Sequence, residues 1–188
     1  MKRAATVLGI ALIILAIFIF WRPATTIKEP AQPSQTFMEP FRLKTSAFKE
    51  GDKIPSKYTC DGEDVSPLLE VRNVPANTAS LALIMDDPDA SRGVPFDHWL
   101  MWNIAPDTQY ISEDNVPGEA MQGANSWGKP KYGGPCPPVG KPAHRYVFTL
   151  YALDAKLDLP VGATKEELLR AMEQHIVAHA SIMGLYGR

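Results

Sequence analysis

The stretch that decides the fold of this chain is Gly133-Gly134-Pro135-Cys136-Pro137-Pro138-Val139-Gly140, which leads through His144 into an apolar strand over residues 145–151. A loop so rich in glycine and proline has little conformational freedom to lose on folding, so it can hold main-chain donors and a rigid wall in one place. His144 leaves this loop at the start of the strand. The stretch therefore predicts a small anion-binding pocket where the loop meets a sheet.

The composition is that of a globular protein with room for one domain. The chain has 188 residues, of which 45% are hydrophobic and 21% are charged, and its formal net charge is −2. These values allow a sizeable core. Since the balance is acidic and no basic run occurs, nucleic-acid binding is excluded as a function class.

The first 21 residues predict a membrane segment. Lys2 and Arg3 precede an uncharged run of 18 residues, 4–21, which is the lower limit for a helix that spans a bilayer. No small-residue cleavage site follows, which favours an uncleaved anchor over a signal peptide. The two basic residues would hold the N-terminus in the cytoplasm. The expectation is a membrane-anchored protein whose domain lies on the extracytoplasmic side, periplasmic or cell-surface; secretion after signal cleavage is the alternative.

Residues 22–40 predict a tether. Four prolines stand among Thr, Ser, Gln and Lys in this segment, a composition that favours extended conformations and cannot build a core. The folded domain is therefore expected over residues 41–188.

Beyond residue 41, short apolar segments separated by Gly, Pro, Asn and Asp predict a mainly β domain. Candidate strands cover residues 41–48, 68–74, 80–86, 98–104 and 145–151, and residues 110–132 are interpreted as a long surface loop. Thr164 and Glu167 form a capping box, which predicts one helix that continues through Ile176.

Polar residues stand at the ends of three apolar strand faces. By the two-residue period, Asp87 ends the face of Leu81, Leu83 and Met85, and His98 begins the face of Leu100, Trp102 and Ile104. His144 precedes the face of Tyr146, Phe148 and Leu150. Such residues converge on one rim of a sandwich, where a cavity can meet solvent. The alternative for Asp87-Pro88-Asp89 is ordinary turn chemistry, with aspartates accepting bonds from nearby main-chain amides.

Other chemistries have weaker support. No paired ligand spacing favours a metal, and His175 and His179 are interpreted as surface residues of the predicted helix. No Gly-x-Ser-x-Gly turn is present, and Cys136 has no evident base. Cys60 and Cys136 leave two alternatives, a disulfide or two buried small hydrophobic residues, and the compartment decides between them.

Several spaced motifs resemble the phosphatidylethanolamine-binding protein family, in its bacterial Raf kinase inhibitor-like (YbhB/YbcL-type) branch. They are Cys60-Asp61-Gly62, Asp87-Pro88-Asp89-Ala90, His98-Trp99-Leu100, Asn103-Ile104, Gly133-Gly134-Pro135-Cys136-Pro137-Pro138, His144-Arg145-Tyr146 and Gly184-Leu185-Tyr186-Gly187-Arg188. The resemblance covers roughly residues 41–188.

The resemblance implies an antiparallel β-sandwich with a few peripheral helices and a rim pocket for phosphate, phospholipid head groups or similar anions. Carried over by position, the ligand-binding residues are Asp87, Asp89, His98, Pro138, His144 and Tyr146. By strand alternation, Arg145 should point away from the pocket. No catalytic residue, metal or cofactor is implied.

The expected function is therefore non-enzymatic binding of a small anionic ligand, with regulation of a protein partner, of protease or kinase type, as a further role. The alternative function is inhibition of a protease through protein contacts. A hydrolase that uses Asp87 and His144 is a third, less favoured hypothesis.

Overall fold

Strand pairing begins at Arg42, directly after the proline-rich segment. The computed structural model describes residues 39–90 and 93–188. Within them, the regular elements are β1 (Arg42–Lys44), a short 3₁₀ helix (Ser56–Tyr58), β2 (Leu69–Arg72), β3 (Ser80–Asp87), β4 (Phe96–Ile104), β5 (Tyr110–Ile111), β6 (Met121–Gln122), β7 (His144–Leu153), α1 (Lys165–Met172) and β8 (Ile176–Tyr186).

The strands form two antiparallel sheets. The larger sheet has the order β6-β4-β3-β7-β8, and the smaller has the order β1-β2-β5. Two of these strands, β5 and β6, lie in the region interpreted from the sequence as a long surface loop, so that interpretation is wrong at these positions. The mainly β, antiparallel character of the domain is confirmed.

Two apolar clusters cover the two faces of the larger sheet. The first lies between the sheets and contains Leu43 of the smaller sheet together with Leu83 of the larger. The second contains Trp102 of the larger sheet and Leu168 of α1. The domain is therefore a sandwich of two sheets with α1 packed on the outer face of the larger one.

β3 occupies the centre of the larger sheet, and seven of its eight residues are buried. Its odd-numbered positions, from Leu81 to Met85, belong to the cluster between the sheets, whereas Ala82 and Ile84 face α1. The strand ends at Asp87, which is also buried. The predicted placement of Asp87 at the end of an apolar face is confirmed.

β4 carries one residue more than β3 at the position of His98. Met85 pairs with Trp99, but the next residue, Asp86, pairs with Asp97, so His98 is the extra residue of a β-bulge. The ring centroid of His98 lies 5.1 Å from that of Tyr146, which belongs to the cluster between the sheets. The bulge therefore turns His98 to the inner side of the larger sheet.

A second irregularity of β4 lies at Asn103, whose φ is +55°. It places Ile104 in the cluster between the sheets, whereas Leu100 and Trp102 face α1. The predicted common face of His98, Leu100, Trp102 and Ile104 is therefore wrong, because simple alternation does not hold across a bulge.

Helix α1 begins as predicted but ends early. The Thr164 hydroxyl accepts a hydrogen bond from the Glu167 N–H, and the Glu167 carboxylate accepts one from the Thr164 N–H. The helix ends at Met172, and Ile176 begins β8, which pairs with β7 along its whole length. The predicted continuation of the helix through Ile176 is wrong because strand pairing outweighs local helix propensity here.

The fold assignment needs one correction at the N-terminus. Within residues 39–90 and 93–188 no helix is long and apolar enough to cross a bilayer. Helix α1 has eight residues, so it is about 12 Å long against a hydrocarbon core of about 30 Å. The predicted membrane segment (1–21) and nearly all of the tether (22–40) lie outside the described residues. The transmembrane helix is accordingly removed from the fold assignment, and the extracytoplasmic localisation inferred from it is withdrawn.

Candidate functional site

The glycine- and proline-rich loop of residues 133–140 is fixed by hydrogen bonds at its first two residues. The Gly133 N–H donates to the His98 carbonyl (N···O 3.0 Å), and the Gly134 N–H donates to the Asp64 carboxylate (N···O 2.6 Å). A Cβ atom at Gly134 would lie 2.4 Å from a neighbouring main-chain oxygen, so only glycine fits there. The loop is therefore held close against the end of β4.

A disulfide ties the same loop to the segment that follows the 3₁₀ helix. Cys60 and Cys136 are bridged, with their Cα atoms 5.4 Å apart. The Cys60 N–H also donates to the Pro135 carbonyl (N···O 3.2 Å). Of the two alternatives that the sequence left open, the structure has the bridge.

A cavity of about 510 Å³ opens between this loop and the adjoining ends of β3, β4 and β7. Five of the six side chains assigned to ligand binding from the sequence line it: Asp87, His98, Pro138, His144 and Tyr146. They come from four separate segments of the chain. The structure therefore brings most of the predicted site together in one place.

Asp87, which is buried, and His144, which is half-buried, form a pair in the wall of the cavity. His144 Nδ1 lies 2.7 Å from Asp87 Oδ2. Since an ionised carboxylate only accepts hydrogen bonds, Nδ1 carries the hydrogen and Nε2 is the ring nitrogen left for a ligand. Asp87 Oδ1 accepts a hydrogen bond from the Asp89 N–H (N···O 2.8 Å). Asp87 therefore accepts a main-chain hydrogen bond, as the turn alternative predicted, and it also lines the cavity.

His98 is fixed in one orientation and is neutral. It is 2% exposed, and its Nδ1 lies 2.7 Å from the Gly133 carbonyl oxygen, which can only accept. Burial is the largest cause that lowers the pKa of His98 below its ordinary value. Its Nε2 therefore carries a lone pair and can accept a hydrogen bond from a ligand.

Tyr146 places a buried hydroxyl in the wall of the cavity. The residue is 0% exposed, and its hydroxyl has no well-aligned hydrogen-bond partner, although the Asp87 carboxylate and the Cys136 main-chain N–H lie close enough to it to affect its pKa. Burial, followed by the negative charge of Asp87, raises the pKa of Tyr146, so the phenol stays protonated and can donate. An unpartnered buried hydroxyl costs about 1–3 kcal/mol.

Asp89 does not line the cavity. Its carboxylate accepts hydrogen bonds from Arg145 Nε and Nη2 (N···O 2.9 and 2.7 Å) and from the Arg145 N–H (N···O 2.9 Å). The side-chain bond from Arg145 is the largest cause that lowers the pKa of Asp89, to about 2. Asp89 thus fixes the start of β7 beside the site, and Arg145 points away from the cavity as expected. Direct contact of Asp89 with a ligand remains a prediction.

The sequence interpretation missed the aromatic wall of the cavity. Phe96 and Trp127 line it with their ring centroids 4.6 Å apart, and the Trp127 ring also meets the ring of His98 edge-on at 5.2 Å. Trp127 is 45% exposed. A tryptophan in a segment rich in glycine and proline was the signal available, because large exposed aromatic residues often mark binding surfaces.

Metal ligands do not cluster in the part of the chain that the structure describes. There, no three His, Cys, Asp or Glu side chains lie close enough together to hold a metal ion.

Three comparisons place this arrangement among known proteins. The sequence model of the family described as "Phosphatidylethanolamine-binding protein" matches residues 44–187. A UPF0098 protein of Methanothermobacter thermautotrophicus is 50% identical over 151 residues, which are 78% of this chain and 98% of that protein.

Two solved structures share both the fold and detectable sequence identity. A putative phosphatidylethanolamine-binding protein homologue from Chlamydia trachomatis has a TM-score of 0.74 and 40% identity, covering 79% of this chain and 97% of its own. YbcL of E. coli, described as a new member of the mammalian PEBP family, has a TM-score of 0.75 and 28% identity, covering 79% of this chain and 98% of its own. The resemblance drawn from the motifs is therefore confirmed, and the chain belongs to the phosphatidylethanolamine-binding protein family.

Proposed function

We propose that this protein binds small phosphate-bearing ligands of the phospholipid head-group type in the cavity beside the 133–140 loop, without catalysing a reaction on them. Members of its family bind small ligands and proteins and are generally non-enzymatic. Regulation of a partner protein would act through the occupancy of this cavity.

The observation that carries the proposal is the hydroxyl of Tyr146. It is a buried donor without a well-aligned partner in the wall of a cavity that opens to solvent. Buried donors in folded proteins are nearly always satisfied, so an unsatisfied one beside a cavity supports a ligand with acceptor atoms. Phosphate oxygens are strong acceptors.

His144 adds a hydrogen-bond donor to the cavity when its ring is protonated. Its Nδ1 is committed to Asp87, so protonation places the new hydrogen on Nε2. The imidazolium and the Asp87 carboxylate then compensate each other's charge, and Nε2–H can donate to an anionic oxygen.

His98 adds an acceptor, which narrows the class of ligand. Its Nδ1–H is bonded to Gly133, and the lone pair on Nε2 repels a fully ionised phosphate oxygen. A group that carries a hydrogen suits this atom better, such as a P–OH or a head-group ammonium. The preferred ligand therefore has acceptor oxygens and at least one donor.

The cavity wall also supports the absence of catalysis. Cys136 is committed to the disulfide, so it is not a free thiol nucleophile. The Ser126 hydroxyl accepts a hydrogen bond from the Asp97 N–H (N···O 2.8 Å), and both cavity histidines use Nδ1 elsewhere. A nucleophile with a positioned base is not assembled from these groups.

The test is a titration of the full chain with inorganic phosphate and with phosphorylethanolamine, followed by histidine NMR. The four histidines supply their own control, because His98 and His144 line the cavity whereas His175 and His179 do not. The signals of the first pair should move saturably and the signals of the second pair should stay in place. Unmoved His98 and His144 signals at millimolar ligand would overturn the proposal.

A further inference from the structure

Two aspartates face each other directly across β3 and β4, behind the cavity. Asp86 pairs with Asp97 in the antiparallel register, and Asp86 follows Ile84 on the face of the larger sheet that packs against α1. Like charges directly opposite each other destabilise a strand pair. This position in the sheet therefore needs a compensating cation.

Lys165, the first residue of α1, supplies that cation. Its Nζ lies 2.5 Å from Asp86 Oδ2 and 2.9 Å from Asp97 Oδ1, and its side chain is 19% exposed. Burial alone would lower the pKa of Lys165, but the hydrogen bond to Asp86 and the negative charges of both aspartates outweigh it, and the pKa is raised. The ammonium group therefore stays charged and links the two strands.

This link lies next to the β-bulge that places His98 in the wall of the cavity. Asp97 is the residue directly before His98, and the β3–β4 register changes between Met85 and Asp86. The main chain of Asp97 is held as well, because its N–H donates to Ser126 Oγ (2.8 Å) and its carbonyl accepts from the Ser126 N–H (2.9 Å). Both the side chain and the main chain of Asp97 are thus fixed beside the extra residue.

We propose that Lys165 is a positioning residue of the ligand cavity, which acts from the opposite face of the sheet by joining Asp86 to Asp97 and so holding the bulge that turns His98 inward. Its consequence for ligand affinity rests on the function proposed above. The effect of Lys165 on His98 does not rest on that function, because His98 has the same orientation in the protein without a ligand.

The test is a Lys165→Met variant of the full chain, with Arg170→Met as the matched control. Arg170 lies on the same helix, and its ion pair with Glu166 is exposed and includes neither aspartate. The first measurement is the ¹⁵N NMR spectrum of the histidine rings without ligand. In the wild type, His98 should show one tautomer, protonated on Nδ1. In Lys165→Met it should show a mixture of tautomers, and in Arg170→Met it should not change.

The second measurement is the Kd for inorganic phosphate. We expect Lys165→Met to raise this Kd about tenfold, the equivalent of one lost hydrogen bond, and Arg170→Met to leave it unchanged. A triple variant, Asp86→Asn, Asp97→Asn and Lys165→Met, removes the repulsion together with the cation. It should restore the single tautomer of His98 and most of the affinity.

The outcomes separate the two proposals. A Lys165→Met protein that is less stable but keeps the wild-type His98 spectrum would show that the lysine only stabilises the fold, and would overturn the inference. If the wild type does not bind phosphate, the proposed function fails, but the His98 spectrum still decides the role of Lys165. Should Lys165→Met not fold, Asp97→Asn breaks the same link with its ammonium retained, and an unchanged His98 spectrum in that variant would equally contradict the inference.

Discussion

The hydroxyl of Tyr146 offers the sharpest test of the site, because its removal should affect stability and binding in opposite directions. In Tyr146→Phe the ring stays in the cluster between the sheets and only the unpartnered hydroxyl is lost. Most substitutions of buried residues lower both properties together. Here the free protein loses no well-aligned hydrogen bond.

The expected magnitudes follow from that geometry. Leaving a buried hydroxyl unpaired costs about 1–3 kcal/mol, so its deletion should leave the free energy of unfolding unchanged or raise it by up to that amount. A hydrogen bond to a charged oxygen contributes about 1.5–3 kcal/mol, so the Kd for phosphate should rise by a factor of about 10–150.

Tyr132→Phe is the matched control. Tyr132 is also buried, but its hydroxyl donates to the Tyr58 carbonyl (O···O 2.7 Å) and it does not line the ligand cavity. Its loss should lower the free energy of unfolding by about 1 kcal/mol and leave the Kd for phosphate unchanged.

Urea denaturation and isothermal titration calorimetry with inorganic phosphate measure both quantities on the same three proteins. If Tyr146→Phe is destabilised as much as Tyr132→Phe, the hydroxyl is satisfied in the free protein and the reasoning fails. If its Kd stays at the wild-type value, the hydroxyl does not meet the ligand, and the central observation behind the proposed function is lost.

Two groups should make the stability of the fold depend on pH, and the disulfide should contribute to it at any pH. Burial lowers the pKa of His98, so the imidazole binds a proton more readily in the unfolded chain, and the folded protein loses stability as the pH falls below about 6.5. In urea denaturation, His98→Gln should therefore lose less stability than the wild type between pH 8 and pH 5. An equal loss in both proteins would contradict this role of His98. The hydrogen bond from Arg145 lowers the pKa of Asp89 to about 2, so Asp89→Asn should be less stable than the wild type at pH 6 but nearly as stable as the wild type at pH 2. If the two proteins differ in stability by the same amount at both pH values, the ionised carboxylate does not stabilise the fold. Cys60 and Cys136 are 76 residues apart, so replacing both with Ser should lower the free energy of unfolding by about 4 kcal/mol in the chain-entropy treatment, and a loss below about 1 kcal/mol would show that the bridge adds little.

The cavity could be predicted from the sequence because its polar residues stand where strands begin or end. Asp87 ends β3, His144 begins β7, and both lie in the same wall. Asp89 could not be placed in the same way. Two residues beyond the strand, the chain has turned, and its carboxylate meets Arg145, which strand alternation had set on the other side.

His98 was assigned to the cavity, but the strand face given for it was wrong. Alternation set it with Leu100 and Trp102, which in fact face α1. A bulge depends on the partner strand, so a period counted along one strand cannot reveal it. The residue was found by its chemistry and its position in the motif.

The helix and the last strand show the same limit at the level of the fold. The capping box at Thr164 is a local signal and located the start of α1 correctly. The end of the helix was misplaced because Ile176 continues the apolar period, although it pairs with Leu153 in the sheet. Strand pairing is decided by distant neighbours, which a local window does not contain.

The bulge at His98 also bears on how such a site can arise in evolution. One extra residue supplies the imidazole, while Met85 stays paired with Trp99 on one side of it and Asp86 with Asp97 on the other. Inserting a single codon near one end of an existing strand pair can thus add a functional group without replacing any core residue. Deletion of the same codon would be the simplest route by which a descendant loses this imidazole and keeps the sandwich.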